Sequence, residues 1–98
     1  MNQEIFIWFD KWFDKNKNLL NQKRLQLEFS EKRHEEEIWS RSVDIESSTK
    51  FGNVIVYNVG TCDTHTASFN EDENSASARL INSEEELNKL LKNYFDNF

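Results

Sequence analysis

The sequence predicts an α+β domain, an antiparallel sheet of about five strands flanked by an N-terminal and a C-terminal helix. Three observations carry this. Apolar side chains recur every three or four positions near both ends, they recur every second position through the middle, and polar or glycine-bearing clusters separate the alternating runs. Residues 1–98 are read as one domain with one core.

The first helix is expected over residues 4–20. Ile5, Trp8, Phe9, Trp12 and Phe13 share a face that Leu19 and Leu20 extend, while Asp10, Lys11, Asp14 and Lys15 fall opposite. The run Lys15-Asn16-Lys17-Asn18 weakens the helix, because Asn competes for backbone partners. The mixed-sign polar face argues for packing on the sheet through Trp8 and Trp12 and against a membrane surface, which favours gathered positive charge.

The period then drops to two. Leu25, Leu27 and Phe29 alternate with Arg24, Gln26 and Glu28, as in a strand with one buried face. Residues 30–37 are wholly polar and read as a loop or hairpin tip. Trp39, Val43 and Ile45 mark a second strand over residues 38–46, in which Arg41 is expected to pack its stem and carry its charge past the sheet edge. After a connection over residues 47–52, Val54 to Tyr57 are apolar at successive positions. Such a strand is expected to be central, covered on both sides or packed at its ends. Asn58-Val59-Gly60-Thr61 forms a turn, since Asn and Gly tolerate positive φ. A fourth strand, Cys62–Phe69, a charged tip, Asn70–Asn74, and a fifth strand, Ala76–Ile81, follow. Ser83-Glu84-Glu85-Glu86 matches a capping box, in which Ser accepts from the third helical amide and Glu86 reaches back to the cap amide. Leu87, Leu90, Leu91 and Tyr94 then line one face of the closing helix.

Composition narrows the functional classes. The net charge is −6, from 18 acidic and 12 basic side chains, a poor basis for direct nucleic-acid binding, which draws its affinity from Lys and Arg. Residues 51–98 carry most of the imbalance, with 3 basic and 8 acidic side chains. Such a surface suits a basic protein partner, or simply solubility. Cys62 is the single cysteine, so no internal disulfide forms. With the short apolar run Ile5 to Phe9 ending at Asp10, this reads as a cytoplasmic protein without signal peptide or membrane span.

Catalytic chemistry is sparse. Cys62-Asp63-Thr64-His65 is the one cluster with nucleophile and base types, but positions three apart on a strand point to opposite faces. A small packed thiol and a surface His are the plainer reading. No CxxC, HxxxH or HExxH spacing joins His34 to this cluster, and Gly52 and Gly60 are the only glycines, so neither a metal site, a phosphate loop nor a cofactor site is expected. Two acidic runs remain in expected loops, Glu35-Glu36-Glu37 and Glu71-Asp72-Glu73. The plain reading is solvated loops; the functional one is a mimic of phosphate charge that enters the basic groove of a nuclease.

Three segments together resemble a known family: the aromatic helix Trp8-Phe9-Asp10-Lys11-Trp12-Phe13, the hairpin from Val54-Ile55-Val56-Tyr57 through Asn58-Val59-Gly60-Thr61 to Cys62-Asp63, and the capped helix start Ser83-Glu84-Glu85-Glu86-Leu87. The chain resembles the TriTu-type immunity proteins of bacterial contact-dependent growth inhibition and related polymorphic toxin systems, over nearly its whole length. The resemblance implies a cytoplasmic antidote that binds the C-terminal toxin domain delivered by a neighbouring cell and inhibits it stoichiometrically, without catalysis. It implies a toxin of the nuclease class, including transfer-RNA nucleases that act with elongation factor Tu. Partner-binding residues are expected at Asp63, Glu71, Asp72 and Glu73, with Glu35, Glu36 and Glu37 as a second patch, on a chain that is a monomer or weak dimer alone. Two alternatives stand beside this reading: an adaptor that dimerises through an exposed edge of the Trp39 strand, and a small enzyme centred on Cys62.

Overall fold

A computed structural model describes residues 4–70 and 74–98. The elements run α1 (Glu4–Lys15), α2 (Lys17–Gln22), β1 (Gln26–Glu35), β2 (Ile38–Glu46), β3 (Lys50–Tyr57), β4 (Thr61–Ser68), β5 (Asn74–Leu80) and α3 (Glu84–Asp96). The strands lie in the order β1-β2-β3-β4-β5, each antiparallel to its neighbour, so the sheet is a simple meander. The helices pack on one face of it.

The expected helix over residues 4–20 is divided at Asn16. Its Nδ2 donates to the Trp12 carbonyl at 2.8 Å, and its own amide also reaches that carbonyl, at 3.1 Å. A side chain that competes for the i−4 carbonyl ends the first segment. The break re-aims the second: Leu20 is buried and Leu19 exposed, so Leu19 does not extend the apolar face. Arg24, at φ 57°, turns the chain from α2 into β1, and the strand begins at Gln26.

Residues 30–35 are strand rather than loop, and only Glu36 and Glu37 form the turn. These positions stay exposed, so cross-strand pairing replaces burial as the stabilising contact. Ser30 and Ser42 share a hydroxyl hydrogen bond at 2.8 Å, Glu31 faces Arg41, and the Arg33 guanidinium lies 5.5 Å from the centre of the Trp39 indole. Because β1 extends beside it, β2 is internal, and Trp39 does not lie on a sheet edge. Arg41 also differs from expectation. It turns under α1, pairs with Asp10 and stacks 5.2 Å over the Phe6 ring.

The core lies between the sheet and the helices. Val43, Ile45, Val54, Val56 and Cys62 rise from the sheet; Ile5, Phe9, Trp12 and Phe13 descend from α1; Leu87, Leu91 and Phe95 come from α3. Trp12 and Phe95 stack at 5.3 Å, joining the two ends of the chain. Trp8 packs only at the margin. At the start of α3, Ser83 Oγ accepts from the Glu86 amide at 3.2 Å, and Glu86 accepts from the amide of Asn82, one residue before the cap.

Candidate partner-binding face

The strand register sorts every side chain to one of two faces. Val43 pairs with Val54, Val54 with Thr64, and Thr64 with Ser77, which makes these the helix-side positions. Their chain neighbours form the other face, over which no described element packs. β3 is central, as its apolar run predicts, but it is covered on one side only. Val54 and Val56 are buried, while Ile55 and Tyr57 remain half-exposed on the uncovered side.

This open face has a partly apolar middle and an acidic end. Glu28, Asp44, Asn53, His65 and Ala76 form one row across the five strands. Gln26, Glu46, Phe51 and Ala67 form the next, and Ser42, Ile55, Asp63 and Ala78 the row on the other side. A shallow depression of about 540 Å³ lies between Glu28, Asp44, Glu46, Phe51, Asn53 and His65. Phe51 is 40% exposed and pairs with Phe69, 50% exposed, at 5.0 Å.

The acids here are not neutralised within the fold. Glu28 lies directly across from Asp44, an arrangement that costs stability because like charges repel. Ion pairs among the described residues engage Asp10, Asp14, Glu31, Glu84, Glu85 and Asp96, all on helices or on the helix side of β1. None engages Glu28, Asp44, Glu46 or Asp63. Asp63 instead neighbours Tyr57, whose phenol is pushed up from its ordinary value first by burial and then by that carboxylate. Unmatched charge beside exposed aromatic surface is a common make-up for a surface that a partner covers.

The expected site residues separate. Asp63 lies on the open face. Glu35 ends β1, and Glu36 and Glu37 form the turn at the far end of the β1–β2 hairpin, three strands away from Asp63. The backbone there is tied down by Asn58, which is buried; its Oδ1 accepts from the Trp39 amide at 3.0 Å and its Nδ2 donates to the Glu37 carbonyl at 2.8 Å. Glu71, Asp72 and Glu73 fall outside the described residues. Sequence reasoning missed Glu28, Asp44 and Glu46. Their signal was the polar half of two alternating strands, which pairing stacks into one patch.

Cys62 and His65 point to opposite faces, as their spacing predicts. The thiol is fully buried, and burial, with a smaller push from Asp63, raises its pKa to about 12. It is therefore protonated at neutral pH and poorly suited to nucleophilic attack. His65 Nε2 shares a hydrogen bond with Asn74 Oδ1 at 2.7 Å. Among the described residues, no three His, Cys, Asp or Glu side chains converge as a metal site, and no helix is long and apolar enough to cross a membrane.

A family model described as "Immunity protein TriTu" matches residues 8–97. Neither a curated protein nor a solved structure matches the chain.

Proposed function

Because the chain belongs to the TriTu family of immunity proteins, we propose that it neutralises its cognate toxin domain by laying the open face of the sheet against it. The carrying observation is the set of carboxylates without an ion-pair partner among the described residues, Glu28, Asp44, Glu46 and Asp63, beside exposed Phe51 and half-exposed Ile55 and Tyr57. A basic, partly apolar surface is the chemical complement. A nuclease presents one, since its substrate groove must hold phosphates. Transfer-RNA nucleases acting with elongation factor Tu are included in the class of toxin proposed; for such a toxin, the toxin itself carries the contact with the factor. The long-range field of the acids raises the association rate, while the aromatic centre slows dissociation.

Area sets a condition on this reading. Five strands about 4.8 Å apart and seven or so residues at about 3.3 Å give a face of roughly 550 Å². A stable complex covers about 800 Å² on each partner. The rims of the sheet must therefore contribute. Glu35, Glu36 and Glu37 at one hairpin end, and Glu71, Asp72 and Glu73 in the β4–β5 connection, are proposed as steering charges.

The test is co-expression with the toxin domain encoded immediately upstream, scored by survival and by co-purification. The wild-type chain protects and co-purifies. An Asp44→Lys/Glu46→Lys double variant folds normally, since both positions are exposed, yet loses protection. Full protection and undiminished co-purification by that variant would remove the acidic face from the proposal.

A further inference from the structure

The two outer strands meet solvent differently. β1 carries Glu28, Glu31, Lys32, Arg33 and Glu35 and a register irregularity between Arg33 and Glu35. Charges and bulges of this kind stop a sheet from recruiting further strands. β5 lacks both defences. Its seven residues, Asn-Ser-Ala-Ser-Ala-Arg-Leu, are all exposed, pair with β4 without interruption, and include a single charge, Arg79.

The direction of its free hydrogen-bonding groups follows from one bond. The Ile81 amide donates inward to the Gly60 carbonyl at 2.8 Å. Donors alternate sides along an antiparallel strand, so the amides of Arg79, Ser77 and Ser75 also face β4. The amides and carbonyls of Asn74, Ala76, Ala78 and Leu80 point away from the sheet. The side chains of these same four residues lie on the open face, where Ala78 is the cross-strand neighbour of Asp63 and Ala76 that of His65.

Resting on the toxin-binding reading above, we propose that an extended segment of the toxin adds to β5 as a sixth strand. The segment carries Lys or Arg opposite Ala76 and Ala78 and a polar or acidic residue opposite Arg79. Backbone bonds supply the pairing, and alternate side chains supply the selection. The two alanine methyl groups leave the lateral path to the acids clear. A basic stem lying over Ala78 carries its charge toward Asp63, two strand spacings or about 9.6 Å from its own backbone. The added strand also supplies the rim area that the open face lacks. A second copy of this chain is a poorer occupant. Two-fold pairing about Ser77 sets alanine against alanine, brings no cation to Asp63, and joins two chains of net charge −6.

The experiment measures the affinity of the purified upstream toxin domain for the full chain and three variants. Ala78→Pro removes one outward donor and none that faces β4, and proline is tolerated on an edge strand. It is expected to raise Kd by about tenfold or more, the loss of a backbone bond and of strand fit. Ala78→Lys keeps the donor, sets a cation against the Lys or Arg of the segment and beside Asp63, and is also expected to weaken binding; it decides the matter if the proline variant does not fold. Asp44→Lys/Glu46→Lys reports on the face alone. Unchanged affinity in folded Ala78→Pro and Ala78→Lys overturns strand addition, as does an effect confined to self-association. Loss of binding in Asp44→Lys/Glu46→Lys alone leaves the face reading standing and strand addition refuted. Loss in the β5 variants alone supports the edge and refutes the face. A wild-type chain that binds no toxin overturns both.

Discussion

Gly52 is the position where the least added mass does the most damage. It sits in β3 on the helix side, and a methyl group there meets the His65 carbonyl oxygen and the Tyr94 hydroxyl together. Those two groups are hydrogen-bonded to each other at 2.7 Å. The carbonyl belongs to the backbone of β4, held in register beside Gly52, so it cannot withdraw without bending the ladder. The Tyr94 ring can swing aside, but that breaks its bond and drags the last turn of α3, where Phe95 stacks on Trp12. Overpacking of this kind costs about 1–3 kcal/mol. The lost hydrogen bond adds about 1 kcal/mol. A total near 3 kcal/mol lowers Tm by roughly 12–24 °C in a domain of this size, at about 4–8 °C per kcal/mol. Thermal unfolding of Gly52→Ala measures it. Tyr94→Phe supplies a second arm: alone it costs about 1 kcal/mol, but in the Gly52→Ala background it costs little, because the bond is already broken. A Gly52→Ala protein melting within roughly 2 °C of the wild type, or a fully additive double variant, refutes the reasoning.

Asn58→Ala strips the Trp39 amide and the Glu37 carbonyl of their shared partner and should cost about 2–3 kcal/mol, read as a lowered urea midpoint with unchanged slope. The Cys62 thiol makes stability fall in alkali. Unfolded, it loses its proton near 9.0, whereas the folded chain holds it to about 12. Between these values the unfolded state binds fewer protons, so stability declines as pH rises, by about 1.4 kcal/mol per unit for this group. Tyr94, its hydroxyl also raised by burial, adds a decline of the same sign above 10.0. Urea midpoints at about pH 8 and about pH 10.5 should therefore converge partway in Cys62→Val, and an unchanged gap would exclude the thiol as a source. Reversing Asp44 alone to Lys relieves its opposition to Glu28, so folding stability should hold or rise slightly while toxin association at low salt slows at least about tenfold.

The elements that bury a regular stripe were legible from residue spacing. Ile5, Phe9, Trp12 and Phe13 marked α1, and the capping pattern at Ser83 marked the start of α3 to the residue. The failures share one cause: a partner far along the chain supplied what local pattern lacked. Residues 30–35 have no apolar face, and only the complementary edge of β2 makes them a strand. Asn58 looked like a turn residue that tolerates positive φ; Gly60 takes that role at φ 96°, and Asn58 is a buried bridge between hairpins. The candidate site suffered most. Carboxylates adjacent in sequence drew attention, yet Asp44 and Glu46 share a face by alternation along β2, and Glu28 joins them only through antiparallel register. Ile55 and Tyr57 were read as signs of a central strand, covered on both sides or packed at its ends; the strand is central, and these two lie on its uncovered surface.

Lys23 donates its ammonium to the Phe95 carbonyl at 2.8 Å, and Lys50 does the same for Asn97 at 2.9 Å. The end of α3 thus clasps segments made long before it. During synthesis at about 5–20 residues per second, some 2–7 s separate the appearance of Cys62 from that of Phe95. Through that interval the meander can pair its strands by nearby contacts, but Val54, Val56 and Cys62 lack half of their roof. A chain that stops short of α3 therefore holds a greasy, unclosed sheet, a substrate for proteases and chaperones, and no partial antidote.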